Sequence, residues 1–598
     1  MRPLLLALCA LLPIDAQAQT VSGEQDSNIV VRGSREAPSD WREAEGDHVI
    51  VQSNGGEREL VRITRNLERL HFLLSVLLNR IDKPDDTVKL RVTLVGDGAE
   101  FDAMDLRNLR SSPGPFDAAF TTIRYYDPRE DGAILASSRF NQRARIEAGA
   151  GIAATSAALA ATMPATPSDQ GGGGTAPSAA ALAQVTTFGV DDPLAVSVNA
   201  VYVPMPAEGR IYAGYAQHFL LTYFPAAYPR WYVDGFGELF STLVTREDGV
   251  LEYGRAPEGI RKVLDHYRSI RVADVLTGKA LTEKGFANRW TPFHAWALTH
   301  MLFVDGARRT QLRAYLLDIA NGIPPEQAVR AFGDLDVLQR EFLRYGERKV
   351  WFDRVTYPAD RIAEPIVRQL TKGQAAFLKG RLELGSRVEI PAAPSPGTDP
   401  KRAAQIERIR REAVADRDKW LAELRKDAGR YPGNIEAQLL LAEAECRSDD
   451  STRCLAAADR GLALEPANVD ALTWKGVALA RQAIAGPEAE RRAKLKAARA
   501  TIARANRADP ENPLPLLAYY RSFTDAGETP PDVAIEGLAK VVETVPAAPG
   551  PRVLLAEALA RRGDAAAAIK TVRPVAFGAY DSPERAKANV MMAELPAK

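Results

Sequence analysis

Between Tyr212 and Phe240 the chain reads YAGYAQHFLLTYFPAAYPRWYVDGFGELF, and here its residue types come nearest to a chemical constellation. The chemistry to test is metal-assisted hydrolysis across two helices. It needs two histidines at i and i+4, so that both imidazoles reach one cation. It also needs a glutamate beside the first to activate the metal-bound water, and a third ligand from a following helix. Asp234 could be the third ligand, and Glu238 lies one turn further on the same face. The first helix does not supply its share. Ala213 and Gly214 carry no donor, and Gln217 offers a carboxamide, a poor zinc ligand beside imidazole. None of the six histidines (His48, His71, His218, His266, His294, His300) precedes a glutamate, and no two are four apart. His218 stands about 100° round the helix from Gln217. A relocated centre from His218, Asp234 and Glu238 is one alternative; a packed histidine in an aromatic cluster is the other. Trp231 and its aromatic neighbours likewise read either as a binding cleft, with His218, Trp231 and Glu238 as contact residues, or as core where two helices meet.

The flanks of this stretch resemble the gluzincin zinc peptidases. PRWYVDGFGELF (Pro229–Phe240) is similar to their Trp-x-x-Glu-Gly-Phe-Ala-Glu helix, with Asp234 at the ligand glutamate. AGYAQHF and the later FPAAYPRW are similar to their His-Glu-Tyr-x-His-His-Phe segment and its x-Phe-Pro-Ala-x-Tyr-Pro-x-Trp continuation. The resemblance implies a gluzincin-like domain over residues 40–370 with a degenerate site: Ala213 and Gln217 replace the two histidines, Gly214 the general base, and Asp234 shortens the third ligand. It implies lost catalysis, with no metal and no cofactor. An active metallopeptidase-type hydrolase with a non-standard metal site is the alternative.

The elements that must position these residues follow from periodicity. DHVIVQS (Asp47–Ser53), VKLRVTLVGD (Val88–Asp97) and DGAILASS (Asp131–Ser138) read as strands, and Glu59–Ile81 as an amphipathic helix. The pattern predicts an α+β domain, a small sheet on a helical body. Residues 163–183, with Gly171–Gly174, read as a flexible insertion. The proline-rich PAAPSPGTDP (Pro391–Pro400) centres a linker over 371–405. Residues 406–598 read as an all-α array. Pro466, Pro510 and Pro546, 44 and 36 residues apart, each follow a pair of amphipathic helices, which resembles tetratricopeptide repeats. Such hairpins must stack to bury their apolar faces, and their groove implies a protein or peptide partner.

The remaining signals bound the compartment. Arg2, the apolar Leu4–Leu12 and Ala16-Gln17-Ala18 predict a signal peptide over 1–18, followed by a polar leader over 19–39, hence a periplasmic or secreted protein. Cys446 and Cys454 could then pair, or they are two small buried residues in a helical hairpin. Lys+Arg and Asp+Glu balance at 77 each among the 598 residues, so no overall field favours nucleic acid. The basic runs Arg408–Ala413 and Arg491–Arg499 read as solvated helix faces or as surfaces for acidic partners. No membrane span is expected.

Overall fold

A computed structural model describes residues 36–81, 87–96, 124–146, 201–266, 268–282, 291–304, 306–348, 350–358, 362–394, 396–580 and 582–595, with Phe101, Met104 and Leu106 as single residues. The expected signal peptide at 1–18, nearly all of the 19–39 leader and the 163–183 insertion lie outside the described residues. From Pro38 onward the chain forms one compact unit.

The N-terminal part is built on a mixed sheet. Its strands are β1 (Pro38–Glu45), β2 (Val49–Ser53), β3 (Leu90–Val95), β4 (Arg124–Arg129), β5 (Gly132–Ser138) and β6 (Ile366–Thr371), in the order β6-β1-β2-β3-β5-β4. β2, β3 and β5 run parallel to one another, and the remaining pairs are antiparallel. The parallel step from β2 to β3 requires a crossover, and helix α1 (Glu57–Leu77) makes it. Leu60, Ile63, Leu67, Leu70 and Leu74 recur at helical spacing along α1 and are buried. Glu57 and Glu59 occupy its first turn, where the helix dipole favours acids. β5 is buried along its whole length.

Helices α2 (Ala207–Tyr223), α3 (Arg230–Glu238), α4 (Thr291–Val304) and α5 (Gly306–Ala320) pack into the domain's core, together with shorter helical segments. Phe219, Trp231, Phe236, Trp296 and Tyr315 join Leu67 and Leu70 in one apolar cluster.

Two boundaries differ from the sequence expectation. β1 begins at Pro38, so the end of the expected leader is paired with β6, Pro38 opposite Thr371. The expected linker over 371–405 contains helix α6 (Lys372–Val388), started by a capping box between Thr371 and Gln374. Its Phe377, Leu384 and Val388 pack on Trp420, Leu421 and Leu424 of α7 (Pro400–Arg430) and on Leu440. The proline-rich stretch interrupts helix only between α6 and α7; the amphipathic pattern before it belongs to the array.

The array is a series of antiparallel hairpins. They are α8 (Ile435–Arg447) with α9 (Ser451–Leu464), α10 (Val469–Ala485) with α11 (Glu488–Ala508), α12 (Pro513–Thr524) with α13 (Asp532–Thr544), and α14 (Pro549–Arg561) with α15 (Ala565–Ala576). A last helix, α16 (Pro583–Glu594), completes the array. Pro466, Pro510 and Pro546 sit in the turns between successive hairpins. Asn434, Asp450, Asn468, Asn512, Asp564 and Ser582 each cap a helix through the side chain. A disulfide joins Cys446 at the end of α8 to Cys454 in α9. No helix among the described residues is long and apolar enough to cross a membrane.

Candidate functional site

Helices α2 and α3 cross closely because of what is small there. A Cβ on Gly237 would lie 2.8 Å from both the Ala213 carbonyl oxygen and Gln217 Cγ. A Cβ on Gly235 would lie 2.2 Å from Thr299 Oγ1 and 2.5 Å from the Ala295 carbonyl, so α3 is pressed equally hard onto α4. The crossing brings Gln217 and Asp234 together, as the spacing suggests. Gln217 Nε2 donates to Asp234 Oδ1 at 3.2 Å, and Arg230 Nε donates to Asp234 Oδ2 at 2.7 Å. Asp234 is 6% exposed and Gln217 4%, so both bonds are shielded from water.

These residues do not fit a zinc ion. Ala213 and Gly214 offer nothing to coordinate, and the Gln217 amide turns its N–H₂ toward Asp234. Both carboxylate oxygens of Asp234 are taken, one by a guanidinium that already supplies the positive charge. Position 214 faces the sheet: a Cβ there would be 2.6 Å from Leu135 Cδ1.

The other sequence candidates point elsewhere. His218 Nδ1 lies 3.1 Å from the Tyr126 hydroxyl and 3.2 Å from Thr222 Oγ1. Burial pushes its pKa down to about 3, so the ring is neutral at ordinary pH. Glu238 pairs with Arg124 of β4 at 2.9 Å. Trp231 is 1% exposed; its Nε1 donates to the Tyr315 hydroxyl at 3.2 Å, which donates to the Leu276 carbonyl at 2.6 Å. Trp231 is thus a core residue rather than a contact surface, and His218, Asp234 and Glu238 do not converge.

Sequence reasoning missed Arg230, although its i,i+4 spacing from Asp234 was legible. It also missed a buried polar chain in α1. Glu68 accepts from the His48 backbone N–H at 2.9 Å and lies 2.7 Å from His48 Nδ1. The His48 ring stacks on His71 at 3.5 Å, and His71 Nδ1 meets the Tyr215 hydroxyl at 2.7 Å. Only the fold joins these segments.

The array lies against this domain along several of its helices, with Thr544 of α13 and Arg573 of α15 reaching Val88 and Asn321. The turn between β4 and β5 presents Glu130 and Asp131. Arg521 of α12 holds Glu130 at 2.6 and 3.0 Å. Arg381 of α6 pairs with Asp131 and, at 3.1 Å, with Glu443 of α8. Arg129 donates to the Arg381 and Leu382 carbonyls at 2.6 and 2.9 Å. Burial alone would raise the Asp131 carboxyl, but Arg381, Arg91 and Arg129 outweigh it and hold it below the usual range. A Cβ on Gly550 in the first turn of α14 would lie 2.7 Å from Glu130 Oε1, so the turn fits tightly.

No protein-family model matches the chain, and no curated protein matches it. Among solved structures, a thermophilic tetratricopeptide-repeat protein from Thermus thermophilus matches 30% of this chain and 93% of its own, at 18% identity and a TM-score of 0.27. The array assignment therefore rests on the stacked hairpins themselves.

Proposed function

We propose that this chain is an exported, non-catalytic scaffold: a gluzincin-like domain that has lost its metal site, joined to tetratricopeptide-like repeats that serve protein binding. The observation carrying the non-catalytic half is the state of Asp234. A carboxylate held by Arg230 and Gln217 has neither the free oxygens nor the uncompensated charge that a divalent cation needs. Purified full-length protein should carry well under one zinc per chain by elemental analysis and should not cleave unfolded casein in a chelator-sensitive way. Stoichiometric zinc, or cleavage abolished by a chelator, would overturn the reading.

The export half comes from the N-terminal residues, and cell fractionation tests it. For the binding half, Arg521 of α12 and Gly550 of α14 already meet the β4–β5 turn, which directs a partner to surfaces away from that turn. A groove of about 700 Å³ between α11 and α12 suits an acidic segment. Arg492, Lys496, Ala500 and Ala503 line one wall, and Tyr519 and Phe523 the other; the lining acids Glu488 and Glu528 are paired with Arg491 and Arg499, which leaves Arg492 and Lys496 as the excess positive charge. Arg492→Glu with Lys496→Glu should abolish whatever partner the wild-type chain retains from an envelope fraction. Undiminished capture would remove this face from consideration.

A further inference from the structure

Where the α2–α3 connection meets the array, the fold forms a half-open cavity of about 100 Å³. Tyr126, Leu221 and Pro225 line it from the domain side, and Pro546, Arg552 and Tyr580 from the array. The wall is mostly apolar, with the hydroxyl-bearing Tyr126, Tyr580 and Ser582 and one charged side chain, Arg552. Arg552 is 9% exposed. Its Nε donates to the Pro546 carbonyl at 2.8 Å, and its terminal nitrogens make no hydrogen bond among the described residues. No carboxylate among those residues lies within ion-pair distance of it. Burial depresses its pKa to about 10, with no acidic neighbour among the described residues to offset the effect. A guanidinium largely withdrawn from water without a counter-charge is costly, and native proteins normally pair such groups.

Two further features favour negative charge at the same place. Arg552 lies in the first turn of α14, whose N-cap, Ala548, makes no side-chain hydrogen bond. Ser582, the N-cap of α16, also lines the cavity. Helix N-termini present N–H groups and a partial positive charge.

We propose that this cavity is a binding site for a carboxylate with a short apolar tail, its head group on the free edge of Arg552 and its tail against Leu221, Pro225 and Val575. The prolines and aliphatic groups disfavour a strongly hydrated oxyanion such as sulfate. The head group could belong to a free short-chain acid or to a peptide C-terminus, and both offer the same two oxygens to a planar guanidinium.

The test uses full-length protein and sodium butyrate, read by calorimetry and thermal unfolding, against sodium chloride of equal ionic strength, sodium sulfate and the neutral isostere butyramide. Butyrate should bind saturably and raise Tm, while butyramide and sulfate should not. Arg552→Met should weaken butyrate binding at least about tenfold. Ala547→Glu, which tethers a carboxylate in the cavity wall, should abolish the response to butyrate. No binding of butyrate to wild type, an equal response to butyramide or sulfate, or undiminished binding by Arg552→Met would overturn the proposal. If Arg552→Met does not fold, the comparison of butyrate with butyramide on wild type still decides. A tripeptide ending in valine, compared with its C-terminal amide, identifies the source: tighter binding of the free acid than of butyrate points to a chain terminus, and the reverse to a small acid.

Discussion

At the scale of single residues, the α2–α3 crossing exchanges donors for close packing. Gly235 is the most constrained position, because any Cβ meets Thr299 Oγ1 and the Ala295 carbonyl of α4. Gly235→Ala should therefore destabilise by about 1–3 kcal/mol in denaturant unfolding, even though alanine favours helix. His218 gives a pH prediction. Its folded pKa of about 3 lies below the unfolded value of about 6.5. Between those values the unfolded chain binds the extra proton. This contribution to stability is intact above about pH 6.5 and falls toward pH 3, with a slope of up to about 1.4 kcal/mol per pH unit. His218→Gln should flatten the stability–pH curve over that window; an unchanged curve would mean the ring is hydrated in solution. That Ala213, Gly214 and Gln217 offer no imidazole or carboxylate to Asp234 was legible in the sequence, because residue type and spacing are local facts. Arg230 on Asp234 and Arg124 on Glu238 complete the local charge balance, and only the first was within reach of helical spacing.

Elements carry the next level. The hairpins were legible because proline and helix periodicity are short-range signals: helix ends fall just before Pro466, Pro510 and Pro546, as the spacing predicts. The closest helix contact in the array is at Gly476, where a Cβ would lie 2.3 Å from Ile502 Cγ1 of α11. Gly476→Ala should lower array stability despite the gain of about 1 kcal/mol in helix propensity, and guanidinium unfolding monitored by circular dichroism measures it. A gain in stability would mean that α10 and α11 separate more easily than their spacing implies. Helix α6 was hidden because the strong proline signal after it outweighs the amphipathic pattern before it. β1, β4 and β6 were hidden because their residues are polar or partly exposed, so no alternating pattern marks them. Their partners, as distant in sequence as Thr371 is from Pro38, define them.

At the scale of the molecule, the contact between array and domain decides which surfaces remain for partners. Glu130 and Asp131 anchor it through Arg521 and Arg381, with polar bonds in a shielded seam. Asp131→Asn removes one of the two carboxylates that hold Arg381, leaving Glu443, and should destabilise by about 1–3 kcal/mol. With Glu130→Gln added, the single unfolding transition should split into two, and the radius of gyration by small-angle scattering should rise. A single transition at unchanged Tm would show that apolar contacts alone hold the seam. Because the folded pKa of Asp131 is depressed, its contribution is present above about pH 4 and is lost as pH falls below that.

What the sequence determined by itself is local: the helix periods, the turn prolines, and the donor-poor side chains at Ala213, Gly214 and Gln217. These depend on residue type within a few positions of the chain. Only the tertiary structure decided that Trp231 is core, that His218 faces Tyr126 rather than Asp234, and that Arg552 meets an apolar wall from the other half of the chain. Each of these depends on which distant surface arrives opposite a side chain. That is fixed by the simultaneous burial of apolar faces and pairing of charges across the whole fold, and no stretch of a few residues encodes it.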